Sequence, residues 1–398
     1  MAKQTLPRAM RQKIFAQMKV LIAEIGPRRA GTAASLEAAK RLEALMAPYA
    51  DTVVREPFKV HSGAFLGWIR LLVIAYVLGT TAFWFNMPYV TIGLMLASLF
   101  ILILQFIFYV PLLDRFYPRR PAENVIATIE PKQSVKETVI FSGHHDSARV
   151  FNFLVHQPAL YQARVTGSIA FVMLLLFGSI WQLFQPELGQ QHLGIVFSVG
   201  AVWVAQMWFF AGKRATPGAG DNLASTLVAV ALGEYFSENR LQHTRVMIVS
   251  FDAEEEGLRG ARAFAARHRL DLQAQPTYML NFECLYDDKV RTLLTSDING
   301  TVKLDQRLAQ DMQRVAVTQG ISIDLKPIAF LTGGTDAAEL AKVGVSATTL
   351  FGMVWSNSSR ASVYHTMQDV PENVSKKAIE QAFTLGQVYA ENRDRNLK

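Results

Sequence analysis

The chain has 398 residues but a single cysteine, Cys284. One thiol excludes a disulfide framework of the kind that stabilises small secreted domains. Cys284 lies in an apolar, strand-like context, where we expect it to pack rather than to act as a nucleophile. The sequence also lacks a Gly-x-Ser-x-Gly segment, the usual nucleophile turn of serine hydrolases. Internal repeats, heptads and low-complexity stretches are absent as well.

Charge is nearly absent from four long apolar runs, 63–85, 89–113, 166–184 and 193–211. Each run is close to the roughly 20 residues that cross a bilayer. The runs are apolar on all faces and edged by aromatic residues, as lipid-facing helices are, although buried core helices have a similar composition. Arg70, the one charge inside the first run, lies near its start, where it can reach the head groups. We predict two transmembrane hairpins.

The basic residues flanking these runs predict their orientation. The hairpin loops 86–88 and 185–192 contain no Lys or Arg, whereas the opposite ends carry Lys59, Arg115, Arg119, Arg120, Arg149, Arg164, Lys213 and Arg214. The positive-inside rule therefore places those ends and the remaining chain in the cytoplasm. Residues 1–19 hold no apolar segment, so we expect no cleavable signal peptide. The net charge is +7, and the basic residues cluster beside the apolar runs. This position favours contact with the lipid bilayer over nucleic acid. We expect an integral protein of a bacterial inner membrane.

Acidic residues follow a predicted buried strand at 246–250, in the segment Phe251-Asp252-Ala253-Glu254-Glu255-Glu256-Gly257-Leu258. Adjacent carboxylates are costly at such a position unless one binds a metal and its neighbour carries a proton. The alternative is the acid-rich first turn of a helix. The choice between the two depends on partners elsewhere in the chain.

Candidate partners occur at other strand ends and turns. They are Ser142-Gly143-His144-His145-Asp146-Ser147, Pro217-Gly218-Ala219-Gly220-Asp221-Asn222, Glu283 after Tyr278-Met279-Leu280-Asn281-Phe282, and Tyr364-His365-Thr366-Met367-Gln368-Asp369. Because ligands of α/β folds gather at the carboxyl ends of strands, these segments are expected to meet. Two imidazoles and three or four carboxylates suit a divalent ion such as zinc. Two cations that share a water favour amide hydrolysis.

The order His-x-Asp, Pro-Gly-Ala-x-Asp-Asn, Glu-Glu-x-Gly-Leu-x-Gly, Asn-x-acid and Tyr-His-Thr resembles the co-catalytic di-zinc aminopeptidases. Glutamate carboxypeptidases and the single-zinc glutaminyl cyclases are relatives of that family. The opening Gly26-Pro27-Arg28-Arg29-Ala30-Gly31-Thr32 is also similar to the family's first segment. The resemblance covers roughly residues 20–60, 122–150 and 215–390.

The resemblance implies a role for each site residue. Asp221 would bridge two Zn²⁺ ions, His144 and Glu283 would complete one site, and Glu255 and His365 would complete the other. Glu254 would be the general base. Asp146 would orient the ring of His144, and Tyr364 would donate to the developing oxyanion.

Three positions depart from the family pattern. Position 283 is Glu where Asp is usual, which can change how many oxygens bind the ion. Gly220 replaces a frequent Asp, which removes a negative charge. The segment Gly334-Thr335-Asp336-Ala337 replaces a Ser-Asp-His-like segment, and we assign it no ligand.

The predicted fold is α/β, a mostly parallel twisted sheet flanked by helices, with the two transmembrane hairpins inserted. Strands are predicted at 52–60, 124–129, 138–142, 245–251, 278–282 and 347–350, and helices at 7–25, 33–46, 222–237, 258–268, 304–319, 337–342 and 375–392. The predicted domains are 1–62 (catalytic helices and first strand), 63–113 (hairpin), 114–165 (catalytic), 166–211 (hairpin) and 212–398 (catalytic).

Three functions remain open at this point. The first is a membrane-bound zinc exopeptidase of the aminopeptidase type, acting on peptides. The second is a glutaminyl-cyclase-like or deacylase use of the same metal site, for which Glu283 leaves one or two ions open. The third, a receptor or scaffold without metal, is disfavoured because every ligand position holds a competent residue. Substrate preference and oligomeric state are not specified by the sequence.

The topology can be tested by cysteine labelling from outside the cell. Because the loops at 86–88 and 185–192 lack Lys and Arg, they should translocate, whereas the basic ends should stay with the anionic cytoplasmic leaflet. Asn86→Cys and Gln190→Cys should therefore react with a membrane-impermeant thiol reagent, and Lys213→Cys should not. The reverse pattern would place the catalytic part outside the cytoplasm. Since the second hairpin separates His144 from Asp221, we also expect the site to open near the membrane.

Overall fold

The computed structural model describes residues 6–187, 189–289, 291–354 and 362–397. The chain divides into two compact units. The first comprises Met1–Ser62, Arg119–Arg149 and Arg214–Lys398, and the second comprises Gly63–Pro118 and Val150–Lys213. Residues 114–118, 150–165 and 212–213, which we expected in the catalytic part, cluster with the second unit.

The strands, in chain order, are β1 (Thr52–Val60), β2 (Arg120–Ile129), β3 (Glu137–His144), β4 (Arg149–Phe151), β5 (Ala211–Ala215), β6 (Thr244–Phe251), β7 (Thr277–Glu283), β8 (Thr292–Asp297), β9 (Val302–Lys303), β10 (Asp324–Pro327) and β11 (Ser346–Phe351). All six strands predicted from the sequence are found. β8 and β10 were not predicted, nor were the short strands β4, β5 and β9.

The helices are α1 (Arg8–Ile25), α2 (Ala33–Met46), α3 (Gly67–Trp84), α4 (Pro88–Leu102), α5 (Asn152–Val155), α6 (Tyr161–Phe184), α7 (Gln190–Ala205), α8 (Ala224–Glu238), α9 (Arg259–Arg267), α10 (Arg269–Gln273), α11 (Gln306–Thr318), α12 (Ala337–Ala341) and α13 (Lys376–Arg395). The seven helices predicted outside the apolar runs are all present. Thr32 caps α2, Asp305 caps α11 and Ser375 caps α13 through side-chain oxygens.

The main sheet of the first unit has the order β1-β2-β6-β3-β7-β11-β8-β10, with β9 beside β8. Neighbours from β6 to β11 run parallel, as do β8 and β10, but β1–β2, β2–β6, β11–β8 and β8–β9 are antiparallel. The expectation of a mostly parallel sheet was therefore wrong, because the sheet is mixed. The connection from Glu283 to Thr292 is too short for the crossover of a dozen or more residues that a parallel return requires, so β8 runs back.

The core of the first unit lies between the central strands and the long helices. β3 is buried over its whole length, as its apolar sequence predicts. The Phe141 ring of β3 stacks on Phe236 of α8 and on Phe282 of β7, with 6.2 Å between ring centroids in both pairs. Successive side chains of a strand point to opposite faces, so His144 lies on the other face from Phe141. The ligand candidates are thereby separated from this apolar layer.

The second unit is built from four long apolar helices. The spans Gly67–Trp84, Pro88–Ile107, Pro158–Phe184 and Gln190–Phe209 are long and apolar enough to cross a membrane. α3 contacts α4 and α7, and α6 contacts the same two helices, which gives a four-helix bundle. Large apolar side chains are exposed on its outside, among them Val202 and Phe184. This arrangement fits the two predicted hairpins.

Gly143 tests how closely β3 packs against α8. A Cβ at this position would lie 2.7 Å from the Thr226 backbone nitrogen and 3.0 Å from the Ser225 carbonyl carbon. Backbone atoms cannot swing away, so Gly143→Ala should lower the free energy of unfolding by about 1–3 kcal/mol. Urea unfolding of the detergent-solubilised protein would measure the change. Gly93→Ala is the control, since nothing lies within 4 Å of its Cβ; equal midpoints for the two variants would contradict the packing argument.

Candidate metal centre

The candidate ligands are positioned by the carboxyl ends of neighbouring strands. His144 is the last residue of β3 and Glu283 the last residue of β7. Glu254 and Glu255 follow β6, which pairs in parallel with β3. Asp221 lies in the turn that leads into α8. Because β6, β3 and β7 are adjacent and parallel, these ends meet at one edge of the sheet.

The five candidate ligands contact one another. His144 Nε2 lies 3.3 Å from Asp221 Oδ1 and 3.5 Å from Glu283 Oε1. On the other side of Asp221, His365 Nε2 lies 3.1 Å from its Oδ2 and 3.4 Å from Glu255 Oε1. Asp221 thus faces both imidazoles, one through each carboxylate oxygen. The two groups share this single residue.

The donor set and its spacing fit zinc. With Zn–N and Zn–O bonds of about 2.0–2.1 Å, the ligand atoms of a tetrahedral ion lie about 3.3 Å apart, close to the separations between these side chains. His144 Nε2 and Asp221 Oδ2 are buried, and despite these short contacts neither makes a hydrogen bond of acceptable geometry among the described residues, as is expected of metal-ligand atoms. Ligand atoms of His144, Asp221 and Glu255 lie within 4.8 Å of one another, as do those of His144, Glu254 and Glu283.

The pKa shifts of the buried acids also favour a bound cation. Burial raises the pKa of Glu254 well above its usual range and that of Glu255 to about 7, and it raises the pKa of Glu283 as well. Burial opposes charging of His365, but Glu255 and Asp221 raise its pKa to about 9. Protons therefore supply the positive charge that the carboxylates need, and a divalent ion would replace them.

Asp146 connects the acidic segment to His144. Its Oδ1 lies 3.2 Å from His144 Nδ1, the ring nitrogen opposite the one that faces Asp221. The same carboxylate accepts the backbone N–H groups of Glu254 at 3.1 Å and Glu255 at 3.2 Å. One side chain thus contacts the His144 ring and accepts hydrogen bonds from the turn that carries the two glutamates.

Glu283 is held by two neighbours despite its extra methylene. Asn222 Nδ2 donates to Glu283 Oε2 at 3.0 Å, and the Cys284 thiol donates to Oε1 at 3.4 Å. Asn222 also accepts the backbone N–H of Cys284 at 3.3 Å. Oε1 remains the oxygen that faces His144. Cys284 therefore packs beside the site, and its thiol is buried as expected.

Tyr364 lies beside the ligand cluster, with its ring stacked on His365 at a centroid distance of 3.9 Å. The preceding residues 355–361 are outside the described part of the chain. The ring is largely buried. Stacking fixes the plane of the His365 imidazole.

Sequence reasoning assigned no role to a second buried carboxylate, which lies near Asp221. Asp369 accepts the backbone N–H of Gly220 at 2.7 Å and that of Asp221 at 3.3 Å. Burial raises its pKa to about 7, and the nearby Asp221 adds to the shift. Its position four residues after His365 in the Tyr-His-Thr segment was the available signal. Asp336 is also fully buried, and neither of its oxygens has a hydrogen-bond partner among the described residues.

Comparison of the sequence with protein-family models finds one match, to peptidase family M28, over residues 198–388. That range contains Asp221, Glu254, Glu255, Glu283 and His365 but begins after His144. Among curated proteins, none matches the sequence.

Solved structures share the fold at low sequence identity. A zinc aminopeptidase from Bacillus subtilis aligns with a TM-score of 0.59 and 14% identity, over 96% of this chain and 95% of the other. A glutaminyl cyclase from Porphyromonas gingivalis aligns with a TM-score of 0.58 and 11% identity, over 96% and 98%. A Zn-dependent exopeptidase from Parabacteroides distasonis gives 0.58 and 12%, over 95% and 97%. The chain therefore has the fold of the zinc exopeptidases.

The buried acids predict an unusual pH dependence for the zinc-free protein. Burial raises the pKa of Asp252 and Asp369 to about 7 and that of Asp297 to about 6, against about 3.9 in the unfolded chain. The folded state then keeps protons that the unfolded state loses, so the free energy of unfolding falls as pH rises from about 4 to 7. His365, with a folded pKa of about 9 against about 6.5 unfolded, extends the fall with the same sign to about pH 9.

Thermal unfolding in the presence of a chelator would measure this dependence. The midpoint should decrease steadily from pH 5 to pH 9, and saturating zinc should raise it most at the alkaline end, because zinc competes with the protons. Asp252→Asn removes the titration but keeps only one of the two oxygens that accept the N–H groups of Glu123 and Ala253, so it should lower the midpoint at acidic pH and flatten the slope between pH 5 and 7. A zinc-free midpoint that rises over this range would contradict the assignment.

Proposed function

We propose that the chain is a membrane-bound, zinc-dependent exopeptidase of the M28 type that removes amino-terminal residues from peptides. The carrying observation is the contact among His144, Asp221, Glu255, Glu283 and His365 at the edge of an exopeptidase-like sheet. In this proposal Asp221 would be shared between two ions. His144 and Glu283 would complete one site, and Glu255 and His365 would complete the other.

Bound zinc would polarise the scissile carbonyl and bring the pKa of a water molecule towards neutrality. Glu254 is the general base. Its Oε2 lies 3.7 Å from His144 Nε2, so it borders the ligands without being needed as one. It accepts the proton of the attacking water and passes it to the leaving amine nitrogen. Asp146 keeps Glu254 in place through the Glu254 backbone N–H, while Tyr364 donates to the carbonyl oxygen as negative charge develops.

The membrane location is part of the same proposal. Four helices long and apolar enough to span a bilayer support it, together with the Lys and Arg residues at one end of each hairpin. We propose an integral protein of a bacterial inner membrane with its catalytic unit in the cytoplasm. Peptides are the substrate class, and the lipid bilayer is the second partner.

A glutaminyl-cyclase-like reaction is the second candidate, because solved glutaminyl cyclases share this fold. Those cyclases, by the resemblance above, use one zinc ion. The position of Glu283 supports the first candidate, since its Oε1 faces His144 as an ion ligand would. Aminoacyl nitroanilides and peptides with amino-terminal glutamine, each tested with and without chelator, would distinguish hydrolysis from cyclisation.

The different roles proposed for Glu254, as the base, and Glu255, as a ligand, can be tested by substitution. Glu254→Gln removes the base but no proposed ligand, so zinc content should stay near that of the wild type while hydrolysis falls on the order of 10²-fold or more. Glu255→Gln should instead lose zinc. Elemental analysis and aminoacyl-nitroanilide hydrolysis would measure the two effects separately.

Glu256→Gln is the matched control at the next position. Its carboxylate contacts Ser62 at 3.2 Å and Arg29 at 3.8 Å rather than the ligands. This variant should retain both zinc and activity. Full activity of Glu254→Gln would show that another group is the base.

A further inference from the structure

Arg28, between α1 and α2, is a buried cation of the first unit. Its side chain is fully buried, with 0% exposed. Nε donates to the carbonyl oxygen of His145 at 2.9 Å, and Nη2 donates to that of Gly218 at 2.7 Å. Nη1 donates to Gly26 at 3.1 Å and to Pro217 at 2.8 Å. The guanidinium thus donates four hydrogen bonds to backbone carbonyls.

The charge of Arg28 is balanced at longer range. No carboxylate lies within ion-pair distance of it among the described residues. Burial lowers its pKa to about 10, and the acids that oppose this shift are Asp369, Asp146 and Asp221. Burying an arginine is costly unless its donors are satisfied, so the carbonyl contacts are what make this position tolerable.

The carbonyls that Arg28 binds belong to two segments far apart in sequence. His145 follows the candidate ligand His144, whereas Pro217 and Gly218 precede Asp221. The inserted segment Val150–Lys213 separates them along the chain. Despite that insertion, His144 and Asp221 lie 3.3 Å apart. One rigid guanidinium therefore connects both sides of the insertion.

Further hydrogen bonds join the segments on the two sides of the insertion to each other and to Arg28. The Arg28 backbone N–H donates to Ser147 Oγ, and the Ser147 N–H donates to the Arg28 carbonyl, both at 3.1 Å. Thr216 N–H donates to the Ala148 carbonyl at 2.9 Å. Gly218 has a φ of +64°, and a Cβ there would lie 2.6 Å from Arg28 Nη2. The turn before Asp221 is thus shaped around the guanidinium.

We propose that Arg28 is a positioning residue for the metal centre, which sets the bridging carboxylate of Asp221 against His144 by holding their two loops together. The inference rests on the proposed function for the identity of the ions. The hydrogen bonds of the Arg28 side chain go to backbone carbonyls and not to the side chains of the proposed ligands. Arg28 would determine whether Asp221 can contribute to both sites at once. Its loss should therefore weaken the binding of a second ion more than the binding of the first.

The test compares zinc and cobalt binding in Arg28→Met, Arg28→Lys and Arg393→Met. Arg393 is the matched control, because it pairs with the buried Glu137 at the opposite end of β3 from His144. Competition with a chromophoric chelator gives affinity and stoichiometry, and electron paramagnetic resonance of the cobalt-loaded protein reports coupling between two bridged ions. Thermal unfolding in chelator gives the stability of each variant without metal.

Arg28→Met should bind zinc at least tenfold more weakly, bind fewer than two ions per chain and lose the cobalt coupling. Arg28→Lys keeps the charge but not the planar set of donors, so its affinity should be intermediate. Arg393→Met should unfold at lower temperature yet bind both ions with wild-type affinity and coupling.

Wild-type affinity and coupling in Arg28→Met would overturn the inference and leave Arg28 only a fold-stabilising residue. If Arg28→Met does not fold, unchanged affinity and coupling in Arg28→Lys would overturn it equally. Activity is read separately. If the wild-type protein binds two ions but hydrolyses no aminoacyl substrate, the proposed function is contradicted, and the metal-binding comparison still tests the role of Arg28. If the wild-type protein binds no zinc, both proposals are overturned.

Discussion

The close approach of buried carboxylates and imidazoles at one edge of the sheet is the constraint on which the remaining structure of the first unit depends. Like charges at such distances repel strongly in a low-dielectric interior, and each oxygen must find a donor or a cation. Asp146 and Asp369 accept hydrogen bonds from backbone N–H groups, and the Asn222 amide donates to Oε2 of Glu283. Asp221 Oδ2, which faces His365, accepts no hydrogen bond from the described residues, and Glu283 Oε1, which faces His144, accepts only the weak thiol donor of Cys284.

A second layer of polar side chains lies beneath this edge and fixes the strands that carry the ligands. Ser142 donates to Asn281 Oδ1 at 2.8 Å, and Asn281 Nδ2 lies 3.5 Å from Thr349 Oγ1. Thr349 shares a hydrogen bond with Thr335, which donates to the buried Asp297. The chain of bonds crosses three parallel strands two residues before His144 and Glu283. A slip of one residue would turn these side chains to the apolar face, so the layer specifies register.

The sequence predicted the elements and the ligand candidates better than it predicted the sheet's direction or its supporting contacts. Apolar runs that end in polar residues predicted β3, β6 and β7, because burial on both faces leaves a continuous signal. β8 reads Thr-Leu-Leu-Thr-Ser-Asp and β10 is mostly exposed, so neither gives that signal. Arg28 and Asp369 act through backbone groups distant in sequence, and spacing alone does not reveal such partners.

The longer ligand at position 283 illustrates how neighbouring residues can preserve a site's geometry. A free glutamate could offer both oxygens to an ion, but here Oε2 accepts the Asn222 amide N–H at 3.0 Å, whereas Oε1 accepts only the weak thiol donor of Cys284 at 3.4 Å. Only Oε1 then faces His144, at 3.5 Å. Glutamate thereby offers the same single oxygen that a shorter aspartate would, and the backbone N–H of Cys284, bound to Asn222 at 3.3 Å, holds the amide in that orientation. In the proposed centre, the longer side chain would therefore change the reach of this ligand rather than the number of atoms that it offers to an ion.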